Sequence, residues 1–292
     1  MSDAPGTTQT WTVLELLRWT TEHFSSKGIE SARLDAELLL AQALGTDRLK
    51  LYVDFDKPVL PDERARFREL VKRRASDRVP VSQLLGEREF WSLSFKVTGD
   101  VLTPRPETET LVEAALARLA DPDREWRILD IGTGSGAIAL SLARERPQAT
   151  VTATDISSAA LQIARENADQ MQVGERVRFL EGALFEPVEG ETFDLIVSNP
   201  PYLAGSARQT LPPELAHEPD EALFGGPDGY EVLRPLAAGV FGHLASGGHV
   251  LVEIDPGQAQ QLAEWFAEAG LVEVETLRDL AGRPRGVAAR RS

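Results

Sequence analysis

The segment 127–143 constrains this chain more than any other. Arg127-Ile-Leu-Asp-Ile131 has the length and apolarity of a buried strand, Gly132-Thr-Gly-Ser-Gly136 is a glycine loop, and Ala137-Ile-Ala-Leu-Ser-Leu-Ala143 reads as a helix. Glycines let a backbone approach a ligand closely, and the helix start offers free N–H groups. Asp155 closes the next predicted strand, 21 residues after Gly134, where an acid accepts hydrogen bonds from ribose hydroxyls. Strand, loop, helix and acid together fit a nicotinamide nucleotide and S-adenosylmethionine alike. The spacing separates them. Asp130-x-Gly-x-Gly-x-Gly136 departs from the G-x-G-x-x-G of a pyrophosphate site. An acid just ahead of the loop suits a ligand carrying an ammonium group and opposes a diphosphate. The loop favours S-adenosylmethionine.

Around this segment strands and helices alternate. Strands are expected at 127–131, 150–155, 176–181, 194–198, 249–254, 272–277 and 286–290, with helices starting near Gly136, Ser157, Gly229 and Pro256. Such alternation means an α/β fold, a parallel sheet covered by helices on both faces. The last strand, after a turn at Gly282 to Pro284, suits an antiparallel addition at the sheet edge. The first ~75 residues read instead as a small helical bundle. Trp11, Leu14, Leu17 and Phe24 share one helical face, Ser31 is placed to cap a helix through Leu34, Leu38 and Leu39 that Gly45 stops, and Pro61 opens a third carrying Phe67, Leu70 and Val71. Between the two regions, Phe90, Leu93, Phe95, Val97 and Val101 read as a hairpin turning at Thr98-Gly99-Asp100, followed by a helix from about Pro106 to Ala120.

The strand Phe193-Asp-Leu-Ile-Val-Ser198 runs into Asn199-Pro200-Pro201-Tyr202. Two successive prolines cannot continue a central strand, so they stiffen the backbone where ligands bind in open α/β sheets. Asn199 brings a side-chain carbonyl, Pro200 a backbone carbonyl free to accept, and Tyr202 a flat face. Two acceptors beside an aromatic plane make a receptor for a planar NH₂ group. Its lone pair is delocalised and poorly nucleophilic. Fixed acceptors on both N–H bonds stabilise the charge that grows on nitrogen as it attacks a methyl sulfonium.

Composition narrows the partners. Asp and Glu number 46 against 31 Lys and Arg, a net charge of −15, which argues against stable binding to nucleic-acid phosphates. The imbalance is local: residues 1–90 hold 14 basic and 15 acidic side chains, so nearly all the excess lies beyond them. One basic run, Arg64, Arg66, Arg68, Lys72, Arg73, Arg74 and Arg78, reads either as a solvated helix face or as a contact with an acidic or RNA-containing partner. The absence of cysteine removes disulfides, thiolate catalysis and Cys-ligated metal, and the four histidines have no metal-ligand spacing, so no metal is expected. No signal peptide or membrane span is apparent, and a cytoplasmic protein is expected.

Asp-Ile-Gly-Thr-Gly-Ser-Gly (130–136) paired with Ser-Asn-Pro-Pro-Tyr (198–202) resembles the amino-methyltransferases of glutamine amides and exocyclic base amines. Gly86-Glu-Arg-Glu-Phe-Trp-Ser92, Leu102-Thr-Pro-Arg-Pro-Glu-Thr-Glu109 and Glu218-Pro-Asp-Glu-Ala-Leu-Phe-Gly-Gly226 narrow the resemblance to the peptide chain release factor glutamine methyltransferases, the PrmC/HemK family. It covers the chain from about residue 80 onward, and the helical bundle suits it too. The resemblance implies a Rossmann-like, seven-stranded S-adenosylmethionine-dependent methyltransferase domain (106–292), an N-terminal helical substrate-recognition domain (1–85) and a linking β-hairpin (86–105). It implies methylation of the glutamine in the Gly-Gly-Gln motif of class 1 release factors by a monomer. By position, Gly132, Thr133, Gly134, Ser135, Gly136, Asp155, Leu184 and Asn199 would hold the methyl donor. Asn199 and the Pro200 carbonyl would act on the substrate amide, with Pro201 and Tyr202 beside it.

Two departures stand out. Ala183 occupies a position where relatives often carry an Asp for the adenine amine, a lost hydrogen bond of ~0.5–1.5 kcal/mol. Asp255-Pro256 is inserted into what is usually a glycine-centred turn. Arg105 reads either as a guide for a ligand carboxylate or substrate loop or as an anchor to Glu107 or Glu109. His217 beside Glu218 makes a weak acid–base pair, and Glu218 is better placed to order a loop over the site. A ribosomal-protein glutamine methyltransferase, a DNA adenine methyltransferase and a non-catalytic S-adenosylmethionine-binding module share parts of this pattern. The acidic catalytic half opposes the DNA enzyme, and the intact Asn199 corner opposes the pure binder.

Overall fold

The computed structural model describes residues 10–292, and its contacts divide the chain after Gly86 into two units. The first is helical: α1 (Val13–Ser26), α2 (Ala32–Leu44), α3 (Arg48–Val53), α4 (Pro61–Ala75) and α5 (Val81–Leu85). Thr12 and Glu15 form a reciprocal capping box at the start of α1, and Asp47 caps α3 through the Lys50 N–H (2.8 Å). Ser31 does not cap as expected. Its hydroxyl donates to Asp35 Oδ1 (2.7 Å) because Asp35 turns inward to meet buried Arg74 (2.7 Å). The buried face of α1 runs Val13, Leu16, Thr20, Phe24, one step off the predicted line, and Leu34 of α2 is exposed. Phe24, Leu39, Leu40, Phe67 and Val71 fill the core. Part of the basic run is structural: Arg66 donates to the Ala43 carbonyl (2.9 Å) at the end of α2, and Arg78 to the Lys27 carbonyl (3.0 Å).

The second unit opens with an antiparallel hairpin, β1 (Glu87–Phe90) and β2 (Leu93–Lys96). It turns at Trp91-Ser92, with φ of 51° and 57°, and not at Thr98-Gly99-Asp100. Two left-handed residues match a two-residue hairpin turn, but neither is the Gly, Asn or Asp that announces one. Phe90 and Phe95 make an edge-on pair (6.0 Å) that carries the hairpin into the core.

Seven strands follow: β3 (Arg127–Ile131), β4 (Thr150–Asp155), β5 (Val177–Glu181), β6 (Phe193–Ser198), β7 (Leu244–Glu253), β8 (Val272–Arg278) and β9 (Pro284–Arg290). They lie in the order β5-β4-β3-β6-β7-β9-β8, and the first five are parallel. The helices are α6 (Glu109–Arg118), α7 (Ala137–Glu145), α8 (Ser158–Gln170), the single turn α9 (Asp220–Leu223), α10 (Leu233–His243) and α11 (Ala259–Glu268). Side chains alternate across the sheet. Ile128, Leu195, Val197 and Leu251 pack with α6 and α7, whereas Leu129, Ile131, Ile196 and Val252 pack with α10 and α11. The final strand is antiparallel as expected but lies inside the sheet, paired with β7 and β8. Val287, Ala288 and Ala289 are buried on both faces, while β8 carries Glu273, Glu275 and Arg278 and accepts the edge. Strand order reverses between β4 and β6 around β3, which opens a crevice at the carboxyl ends of these strands. No helix among the described residues is long and apolar enough to cross a membrane.

Candidate active site

The glycine loop is tied down from behind. The Gly132 and Thr133 N–H groups both donate to the Thr154 carbonyl (2.8 and 2.9 Å), which anchors the loop to the end of β4. Asp130 lies on the α7 side and is fully buried. Its Oδ2 accepts from the Thr133 hydroxyl (2.7 Å) and the Ala139 N–H (3.1 Å), and Oδ1 has no partner. Burial pushes this carboxyl up to about 7 against those two hydrogen bonds. It does not line the crevice, so its first role is to clamp the loop to α7 rather than to meet a ligand.

Asp155 does line it. Its Oδ2 accepts from the Gly134 N–H (2.8 Å) and its Oδ1 from the Ser157 N–H (2.9 Å), so one carboxylate spans the loop and the start of α8. Burial raises its pKa, opposed by these backbone bonds. Each oxygen keeps a lone pair for a hydroxyl donor. Leu184 lies beyond β5 at φ 48°, a left-handed conformation that non-glycine residues rarely hold.

Two cavities meet at Asn199. The first, of about 410 Å³, is lined by Gly132, Thr133, Gly134, Ser135, Asp155, Ala183, Leu184, Asn199, Pro200 and Pro201, and its size suits a nucleoside-sized ligand. The second, of about 490 Å³, is lined by Tyr202, Leu203, Leu211 and Leu215 and shares Asn199, Pro200, Leu102, Arg105 and Ala222 with the first. Most predicted residues thus converge. Gly136 does not line either cavity, because it packs under the loop against Leu140 and Ala164. Tyr202 faces only the second, and burial pushes its hydroxyl up to about 12, so it stays neutral. A wide hollow of about 790 Å³ at the hairpin, edged by Arg88, Glu89, Trp91 and Glu145, holds none of the predicted residues.

Asn199 is held by chemistry that the motif does not show. Its Nδ2 donates to the Thr108 hydroxyl (3.2 Å), ahead of α6. Glu253, at the end of β7, is 4% exposed, and its Oε2 is buried without a hydrogen-bond partner. Burial pushes this carboxyl up to about 7, with the nearby Thr108 side chain and the Arg285 charge pulling the other way. Gln258 locks the corner from below: its Nε2 donates to the carbonyls of Tyr202 (3.2 Å) and Gly229 (2.9 Å), and its Oε1 accepts from the Asp255 N–H (3.1 Å). Asp255 caps that turn through the Gly257 N–H (2.9 Å), so the inserted Asp-Pro builds a short capped turn. Among the described residues no protein donor occupies the Pro200 carbonyl.

Arg105 anchors neither to Glu107 nor to Glu109; it pairs with Glu218, whose other oxygen accepts from the Thr103 N–H (3.4 Å). Burial raises the Glu218 pKa, and the Arg105 charge opposes it. Glu109 instead accepts from the Trp91 N–H (2.8 Å) at the hairpin turn. Of the residues missed from the sequence, Glu253 had a signal: a lone acid ending an apolar strand. Gln258 had none.

Two families match the chain: the PrmC N-terminal domain over residues 15–86 and the methyltransferase small domain over residues 108–227. The release factor glutamine methyltransferase of Rhodopirellula baltica is 46% identical over 284 residues, 94% of this chain and 95% of that protein. The one of Geobacter sulfurreducens is 43% identical over 96% of this chain and 97% of its own. Among solved structures, a T. thermophilus 16S rRNA methyltransferase in complex with AdoMet and guanosine shares the fold at 22% identity, with a TM-score of 0.51 over 70% of this chain and 50% of its own.

Proposed function

The chain belongs to the release factor glutamine methyltransferases, enzymes that move a methyl group onto a glutamine of a release factor, and from that membership we propose which of its residues do so. The substrate is the Gly-Gly-Gln glutamine of a class 1 release factor, and the modified atom is its side-chain amide nitrogen. Loop residues Gly132, Thr133, Gly134 and Ser135, with Asp155 and Leu184, hold the methyl donor in the first cavity. The glutamine enters through the second cavity, beside Tyr202. The observation that carries this reading is the position of Asn199 and Pro200, which line both cavities.

Bound S-adenosylmethionine supplies an electrophilic methyl carbon on a sulfonium, which leaves as the neutral thioether when the glutamine nitrogen takes the methyl and sheds one proton. The residues of the chain supply the rest. Asn199 Oδ1 and the Pro200 carbonyl accept the two N–H bonds of the amide, fix its plane and stabilise the charge growing on nitrogen. The double proline holds these acceptors in place before substrate arrives, so little reorganisation accompanies attack. Gln258 holds the same loop through two carbonyls. No strong base is required before attack, since the nitrogen becomes acidic only as it is methylated.

The test is methyl transfer from labelled S-adenosylmethionine to purified release factor by wild type and Asn199→Ala, with the modified residue located by mass spectrometry. The expected result is label on the Gly-Gly-Gln glutamine and a fall of about 100-fold or more in kcat for the variant. Its affinity for S-adenosylmethionine should fall far less than kcat, because the glycine loop and Asp155 still line the donor cavity. Label elsewhere, or an active variant, overturns the reading.

A further inference from the structure

We propose that Phe185 is a positioning residue for the methyl donor: seated in a socket on α10 formed by Gly239 and His243, it holds Leu184 at the wall of the first cavity. The inference rests on the reading that Leu184 helps to hold S-adenosylmethionine. Residues 183–186 form a tight turn, closed by the Glu186 N–H on the Ala183 carbonyl (3.0 Å). Its central residues are Leu184, at φ 48°, and Phe185, at φ −97° and ψ −6°. A positive φ followed by a negative one is the type II′ pattern, whose first central position favours glycine. Leucine is strained there. The chain nonetheless carries leucine, and Leu184 lines the first cavity with Asp155 and Ala183. The same turn is tied to that acid, since the Gly182 N–H donates to the Asp155 carbonyl (3.0 Å).

A strained residue persists only where its surroundings over-determine it. Phe185 supplies that constraint. Its buried ring stacks on His243, with centroids 4.3 Å apart and planes 12° from parallel. The imidazole is fixed in turn, because its Nδ1 donates to the Gly239 carbonyl (3.0 Å) one turn back along α10. Gly239 is the floor of the socket: a methyl there would lie 2.8 Å from Phe185 Cδ2 and 2.9 Å from Cε2. The Phe185 carbonyl is held as well, by the Val188 N–H (3.0 Å).

Glycine inside a helix is unfavourable relative to alanine, so Gly239 needs a reason in the packing, and the Phe185 ring is that reason. The same helix contains a control, since a methyl at Gly242 meets nothing within 4 Å. Leu184 and Phe185 are the two central residues of one turn. A ring lifted off its floor therefore rotates the turn and withdraws the leucine side chain from the cavity wall. Neither Phe185, Gly239 nor His243 lines the cavity, so their effect on the donor passes through Leu184.

The test uses the full chain and compares Gly239→Ala, Gly242→Ala, Phe185→Leu, Leu184→Gly and the double variant Leu184→Gly/Gly239→Ala. Titration calorimetry reads the Kd for S-adenosylmethionine, and methyl transfer to release factor reads kcat and the KM for the donor. Gly239→Ala pushes the ring off its floor and should raise Kd and donor KM about 5–10-fold, while kcat at saturating donor stays within about twofold. Gly242→Ala should leave Kd within about twofold of wild type. Phe185→Leu keeps an apolar plug but loses the ring, and should raise Kd by a similar factor even if Gly239→Ala does not fold. Leu184→Gly relieves the strained φ but empties that part of the wall, and should raise Kd about tenfold. Because the socket acts through Leu184, the double variant should bind within about twofold of Leu184→Gly. A wild-type Kd in Gly239→Ala or Phe185→Leu, an equal loss in Gly242→Ala, or multiplicative losses in the double variant would each overturn the proposal. Leu184→Gly keeps the two readings apart. If it binds the donor as wild type does, the role of Leu184 falls; if it binds weakly while Gly239→Ala binds normally, only the positioning role of Phe185 falls.

Discussion

Two glycines of one loop demand glycine for different reasons, and alanine at each should separate them. Gly136 has φ 84°, and a methyl there would lie 2.9 Å from Leu140 Cδ1, 3.1 Å from Leu140 Cγ and 3.4 Å from Ala164 Cβ. Carbon atoms in good contact sit about 3.5–4.0 Å apart, so the nearest overlap is several tenths of an ångström. Leu140 is fully buried and has no space to retreat into. A left-handed conformation costs an L-residue about 1–2 kcal/mol and overpacking adds about 1–3 kcal/mol, so Gly136→Ala should lose roughly 2–5 kcal/mol. Gly134 has φ 54°, and a methyl there meets no protein atom within 4 Å. It should show the conformational loss alone, about 1–2 kcal/mol. Gly134 lines the first cavity, however, and its N–H binds Asp155. A methyl at the closest approach to the ligand should weaken S-adenosylmethionine binding about tenfold or more, whereas folded Gly136→Ala should bind within about threefold of wild type. Urea unfolding reads the stabilities and titration calorimetry the affinities. Equal stability losses would refute the packing argument. Wild-type affinity in Gly134→Ala would refute the close approach.

Two further outcomes follow from buried polar groups. Gln258→Leu strands the carbonyls of Tyr202 and Gly229, and should cost about 2–4 kcal/mol and raise KM for release factor; an unchanged KM would detach Gln258 from the substrate corner. The Asp130 pKa is raised in the fold to about 7 from an ordinary 3.8, so the folded state holds a proton that the unfolded state releases. Its contribution to stability is full below the unfolded value and is lost as pH rises through about 7. Asp130→Asn should therefore gain on wild type in stability as pH rises from about 4 to about 7, by at most about 1.4 kcal/mol per pH unit, and a pH-independent gap over that range would contradict this.

Much of the site was legible because its chemistry is local in sequence. Strand, glycine loop, helix and acid recur at set spacings, and the double proline can only end a strand. What misled is equally specific. The hairpin turn is carried by Trp91 and Ser92, residues with no turn signature, while Thr98-Gly99-Asp100 carries the signature and forms no hairpin turn. Arg105 had two acids within four residues and instead bonds Glu218, more than a hundred positions away.

The alternation of strands and helices, the loop that ends β3, the acid that ends β4 and the amide corner that ends β6 are all written along the chain. Each follows from periodicity, backbone restriction or donor–acceptor inventory within a few residues. That β9 enters the sheet between β7 and β8 follows from the packing, since an interior place depends on which strand can bear exposed charge. The fold alone assigns Gly136 to packing and Gly134 to the cavity, because neighbours and not spacing distinguish them. It alone brought Thr108 to Asn199. Hydrogen bonds between side chains 91 residues apart follow from how strands are ordered, and no local pattern in the chain carries that information.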